Sequence, residues 1–185
     1  SPAGAGLYVS AVLRPAAHVI PLLTIAAGLA VAEGVSAATG LEPRVKWPND
    51  VYIGERKLAG ILAEGAVPAG GAPHVILGFG INVLRAALPP DVAARATSLD
   101  TELGRAPDRG LVLGECLAAL ATRYADLQRG ERLVALCSTH PGIGTVELAA
   151  GLATLRVAEA RALPAHLARL GGLLYTGLAR LAGRH

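Results

Sequence analysis

The chain has 185 residues, 52% of them hydrophobic, and a formal net charge of +3. That length fits one compact domain with room for a small appendage, and the apolar content with so little net charge excludes a disordered chain. The charge is unevenly placed: residues 1–137 carry 12 Lys+Arg and 12 Asp+Glu, residues 138–185 carry five Arg and two Glu, so the neutral first part offers no electrostatic footprint for a phosphate backbone.

In chain order, Gly6 to Leu13 reads as a strand bounded by Gly and Pro. Pro21 suits a helix N1 position, and Leu22 to Ala38 is an Ala/Leu/Val helix with Gly40 as its C-cap residue. Arg44 to Trp47 is a short strand ended by Pro48, with Asn49-Asp50 as a turn pair. Val51–Ile53 and Lys57–Glu64 read as a hairpin through Gly54-Glu55-Arg56, and His74–Val83 as a further strand. After Pro89-Pro90 the pattern turns helical, with a short piece at Asp91–Arg95. A long helix then runs through Arg109–Gln128, capped by Asp108, with Leu111, Leu113, Leu117, Leu120 and Tyr124 on one face. Arg129-Gly130 ends it, and Glu131–Leu136 is expected to add a turn or two of helix. This order predicts an α+β fold: a mixed, largely antiparallel sheet with helices packed on one face.

Cys116 and Cys137 form no C-x-x-C pair and the histidines lack ligand spacing, so neither a disulfide framework nor a protein-made metal cage is expected. The default setting is reducing and cytoplasmic. Mean hydropathy is +0.47 and residues 15–32 are uncharged, but Pro15, His18, Pro21 and Thr24 interrupt them, which favours a buried helix over a membrane span. The chain opens Ser-Pro, contains no methionine and shows no signal peptide, so a fragment or a processed start is expected.

The rarest residues cluster. Of 17 Lys+Arg only Lys46 and Lys57 are lysine; the only asparagines are Asn49 and Asn82; Trp47 and Phe79 are each unique. In a chain that otherwise writes Arg, a retained lysine points to chemistry that needs a compact ammonium able to meet first a carboxylate and then a phosphate. Gly60, inside a strand, signals close approach of a ligand or of another backbone.

The run Lys46-Trp47-Pro48-Asn49-Asp50, followed by Arg56-Lys57-Leu58-Ala59-Gly60-Ile61-Leu62-Ala63-Glu64, resembles the central motif of biotin protein ligases. Gly78-Phe79-Gly80-Ile81-Asn82 is similar to that family's G-x-G-x-N strand, and Ser1-Pro2 through Ser10 to the segment that opens its next strand. The resemblance covers residues 1–137 and implies a class II synthetase-like catalytic domain there, with 138–185 a divergent segment or degenerate SH3-like domain. It implies ATP-dependent ligation of biotin, through biotinyl-5'-AMP, to a lysine of a carboxylase's biotin carboxyl carrier domain, with Mg²⁺ accompanying the nucleotide.

By that resemblance Lys57 is the central catalytic lysine and Asp50 assists at the turn. Lys57, Gly60, Ile61, Leu62 and Gly78 face biotin, and Lys46, Trp47, Asn49 and Asn82 serve the nucleotide. Lys57 is expected in a cleft within reach of Asn82. The family's Ser-Thr-Asn segment and Gly-Arg-Gly-Arg-x-Gly loop are not in this sequence, which implies impaired catalysis or a non-catalytic biotin or nucleotide binder. A lipoate ligase would share the fold without the K-W-P-N-D run. No helix-turn-helix for DNA and no membrane partner are expected, and a homodimer is compatible with the resemblance.

Overall fold

In the computed structural model, residues 2–66, 74–89 and 91–130 are described. They build one antiparallel five-stranded sheet: β1 (Gly6–Leu13), β2 (Arg44–Lys46), β3 (Asp50–Ile53), β4 (Arg56–Ala66) and β5 (His74–Asn82), in spatial order β1-β5-β4-β3-β2. The expected α+β architecture is therefore present, and the helices α1 (Leu23–Thr39) and α3 (Arg109–Gln128) pack together, α1 lying against the sheet.

Alternation sorts each strand into a covered and an open face. Val75, Leu77, Phe79 and Ile81 of β5 are buried, as are Leu7 of β1 and Ile61 of β4. α1 reaches this layer through Gly28, where a Cβ would sit 3.3 Å from Val45 Cγ1 and 3.8 Å from Ile61 Cδ1. Ala17–Thr39 is the one described stretch long and apolar enough to cross a membrane, yet it is mostly buried as the core helix of this domain. Pro21 is not at the N1 position expected of it: it lies inside a 3₁₀ turn (Ala17–Leu22) that leads into α1, which starts at Leu23 and not at the expected Leu22. Gly40, at φ 74°, closes α1 in the left-handed conformation that favours glycine.

Two further sequence expectations need correction. The inward stripe of α3 is Val112, Cys116, Leu120 and Leu127, while Leu111 and Leu117 are exposed. The apolar residues of α3 occupy more than one stripe, and contact with α1 chose between them; Arg123 adds an ion pair to Glu33 of α1. Residues 91–95 form turns instead of a helical piece, and a short helix, α2 (Leu99–Leu103), follows them. Asp108 caps α3 as expected, its Oδ1 accepting from Leu111 N at 3.0 Å. The expectations for Glu131–Leu136 and for the tail 138–185 lie outside the described residues.

Candidate functional site

The sequence-selected residues converge on the open face of the sheet. The β3–β4 hairpin turns through Gly54-Glu55, which pairs Ile53 with Arg56. Its register then shifts between Val51 and Tyr52: Tyr52 pairs with Lys57 but Val51 pairs with Ala59, so Leu58 is an extra residue in β4. Such a bulge re-aims side chains by breaking strict alternation. Here it leaves both Leu58 and Ala59 buried while Lys57 lies on the cavity wall.

Lys57 Nζ stands 2.6 Å from Asp50 Oδ1. The Lys57 side chain is 43% exposed and that of Asp50 22%, so the pair is open to ligand on one side. Asp50 Oδ1 is itself buried and has no hydrogen bond; the ammonium is its counterpart. Asn49 fixes the turn that presents Asp50: its Nδ2 donates to Ile61 O at 3.1 Å, and its main-chain O accepts from Ile61 N at 2.8 Å. The Trp47-Pro48 peptide in this turn is cis.

Beside the ion pair the floor is bare. Gly60 of β4 pairs with Gly80 of β5, Leu62 pairs with Gly78, and on the other edge of β5 Gly80 and Gly78 pair with Tyr8 and Ser10 of β1. The two central strands, β4 and β5, thus present glycine backbone at this point, with β1 alongside, and a cavity of about 400 Å³ lies over them. It is lined by Asn49, Asp50, Lys57, Gly60, Ile61, Leu62 and Gly78 from the expected set. Ile61 has its side chain against α1, so it meets the cavity chiefly through its backbone.

Lys46, Trp47 and Asn82 are not among the lining residues. Lys46 lies over the Tyr52 ring, 4.7 Å from its centroid, and Trp47 is 39% exposed on the turn. Asn82 follows Gly78 and Gly80 at two-residue spacing, but its Nδ2 is committed to Thr97 O at 3.0 Å. Lys57 and Asn82 do lie on neighbouring strands, and both bond to Thr97, whose N donates to Lys57 O at 2.8 Å.

Sequence reasoning missed the β1 wall formed by Tyr8, Val9 and Ser10. A period-two reading of Gly6-Leu7-Tyr8-Val9-Ser10 puts Tyr8 and Ser10 on one face, a signal that was available. The Tyr8 ring lies close over Gly6 and Gly80, where any Cβ would meet it at 2.6 and 3.1 Å. Among the described residues no group of three His, Cys, Asp or Glu could hold a metal ion.

Fold and site together define a class: an α+β domain that holds a lysine–aspartate pair over a glycine floor. Residues 1–82 match the model of the biotin/lipoate A/B protein ligase family. Over 127 residues, 66% of this chain, the sequence is 37% identical to the bifunctional ligase/repressor BirA of Bacillus spizizenii, of which it covers 39%. It is 45% identical to the biotin--[acetyl-CoA-carboxylase] ligase of Mycobacterium tuberculosis over 105 residues, 55% of this chain and 36% of that protein. The fold superposes on the biotin protein ligase of Aquifex aeolicus, solved in complex with biotin and ATP, with a TM-score of 0.59 and 32% identity, covering 68% of this chain and 52% of that one. Over the matched residues the chain is similar to part of a biotin protein ligase catalytic domain. It spans about two fifths of the length of these curated relatives.

Proposed function

We propose that this chain binds biotin and ATP over the glycine floor and joins them as biotinyl-5'-AMP, the first half of attaching biotin to a carrier lysine. The observation that carries the reading is the Lys57 ammonium, 2.6 Å from Asp50 on the cavity wall, beside backbone left bare by Gly60, Gly78 and Gly80. In that step a biotin carboxylate oxygen bonds to the α-phosphorus of ATP while the bond to the departing pyrophosphate breaks. Two anions must be held together as charge shifts onto phosphate oxygens, and a preplaced cation stabilises that charge without reorganising. Lys57 suits the task because its single compact ammonium can leave Asp50 for a ligand carboxylate and then share a phosphate oxygen. Gly60, Leu62 and Gly78, with the Ile61 backbone, offer biotin a flat apolar bed.

Asn49 holds the turn, and Lys46, Trp47 and Asn82 flank the region proposed for the nucleotide. One carboxylate, Asp50, on the wall fits a Mg²⁺ that arrives on the nucleotide phosphates and keeps several waters. In the second step a lysine of a carboxylase's carrier domain attacks the acyl carbon and AMP leaves. Asp50 is placed to accept a hydrogen bond from the incoming amine. The proposed setting is the cytoplasm, which supplies the ATP.

The test is calorimetric titration with biotin, then with ATP and Mg²⁺, followed by biotin-dependent ATP–pyrophosphate exchange. Binding with exchange supports the reading. Binding without exchange replaces it with a non-catalytic binder, and no heat with either ligand overturns it.

A further inference from the structure

We propose that Glu102 is a positioning residue for Lys57, acting through the Lys57 main chain; this rests on the catalytic reading of Lys57 given above. The β4–β5 ladder ends at Ala59 paired with Ile81, two residues short of Lys57. On that side the Lys57 backbone is held instead by residues 95–97: Lys57 N donates to Arg95 O at 3.0 Å, and Lys57 O accepts from Thr97 N at 2.8 Å. These three residues belong to no strand of the sheet, so something else must keep them in place.

Asn82 Nδ2 holds the Thr97 main chain from β5, donating to Thr97 O at 3.0 Å, and Glu102 holds the Thr97 side chain from α2. Its Oε1 accepts from Thr97 Oγ1, and the same oxygen accepts from Arg56 NH2 at 2.8 Å. Arg56 precedes Lys57 in the chain, so the contacts close a ring: Lys57 backbone to Thr97, Thr97 hydroxyl to Glu102, Glu102 to Arg56, and the peptide bond back to Lys57. Thr97 is 1% exposed and the Glu102 side chain 16%, which keeps water from competing for the Thr97–Glu102 bond, whereas Arg56 is exposed and its bond to Glu102 is open to solvent. The ring adjoins the bulge at Leu58, where the pairing of β4 with β3 changes register. Direction at Lys57 Cα decides where a long flexible side chain delivers its ammonium. Glu102 thereby governs whether Nζ reaches Asp50, though it neither lines the cavity nor contacts the Lys57 side chain among the bonds described.

The experiment compares the full chain with Glu102→Ala and Glu102→Gln by amide hydrogen exchange and by biotin-dependent ATP–pyrophosphate exchange. In Glu102→Ala the amides of Lys57 and Thr97 should exchange about tenfold faster or more, the loss expected for charge-assisted bonds, while the Ile61 amide, held by Asn49, stays unchanged. The pyrophosphate exchange rate should fall about tenfold in kcat with the KM for biotin altered less than about twofold, because a displaced ammonium is felt most where charge develops. Glu102→Gln retains an acceptor oxygen and should restore most of both. Equal acceleration of all three amides would mark Glu102 as a general stabiliser and overturn the proposal, as would unchanged exchange at Lys57 and Thr97. A wild-type chain without pyrophosphate exchange overturns the ligase reading instead, and the amide pattern then decides alone whether Glu102 positions Lys57.

Discussion

Gly34 and Cys116 bring two helices into backbone contact: a Cβ on Gly34 would lie 2.4 Å from Cys116 N, 2.5 Å from its Cα and 2.7 Å from its Sγ. α1 and α3 therefore approach as closely as they do only because residue 34 has no side chain. Gly34→Ala must push the helices apart, since the obstacle is backbone and cannot rotate away. Its better helix propensity, about 1 kcal/mol, is outweighed. The expected result is a net loss of about 1–3 kcal/mol or more in urea unfolding. Unchanged stability would contradict this packing.

Cys116 at the same contact is fully buried, and burial, with the neighbouring Glu115 charge, pushes its thiol up to about 12. A raised folded value favours the protonated form. Its contribution to stability is present below the unfolded thiol value near 8.5 and is lost as pH rises toward 12. Native protein at pH 8 should leave Cys116 unalkylated by iodoacetamide, and unfolding in urea should expose it, as read by peptide mass spectrometry. Rapid native labelling at Cys116 would refute the burial.

Lys57→Arg keeps the charge but replaces a compact ammonium by a planar fork. If Lys57 bridges carboxylate and phosphate as the adenylate forms, the substitution should slow ATP–pyrophosphate exchange about a hundred- to a thousand-fold, or about 2.7–4 kcal/mol. Lys46→Arg, over the Tyr52 ring and outside the cavity lining, is the comparison and should cost far less. Equal rates for wild type and Lys57→Arg would mean that charge alone is required.

Gly60→Ala separates the floor from the fold. Its Cβ would meet Lys57 Cε and Nζ at 3.4 Å and Asp50 Oδ1 at 3.6 Å, ordinary contact that the sheet can accept. Stability should change by less than about 1 kcal/mol, whereas a methyl on the floor should weaken biotin binding about tenfold or more in calorimetry. Unaltered biotin affinity would remove Gly60 from the binding surface.

Asp100 supplies an acid-side test. Burial tends to raise its pKa, but hydrogen bonds from Ser98 Oγ, Arg85 N and Thr101 outweigh this and hold it below the ordinary 3.8. A depressed folded value means stability that is present above the unfolded pKa and lost as pH falls through the lower, folded one. Asp100→Asn should therefore flatten the decline of stability below about pH 4. An acid limb identical to wild type would show that Asp100 contributes nothing to it.

Sequence alone determined the elements whose signals are local. Gly40 after an apolar run, Asp108 before one, Gly54-Glu55 between alternating strands and Pro48 after Trp47 each act within a few residues, and the structure has a boundary at each. The site was legible for a related reason: its motif lies in one short stretch, and seven of the ten residues that the resemblance of this motif implied line one cavity. Tertiary structure alone decided the rest. Which stripe of α3 is buried depends on the approach of α1 at Gly34, a partner some eighty residues away that no periodicity in α3 encodes. The aim of Lys57 depends on a bulge set by pairing between β3 and β4 and on Thr97 and Glu102 beside it. Alternation within β4 cannot specify that direction, because a bulge is a relation between strands, and bonds across forty residues form only when the sheet and α2 are already in place.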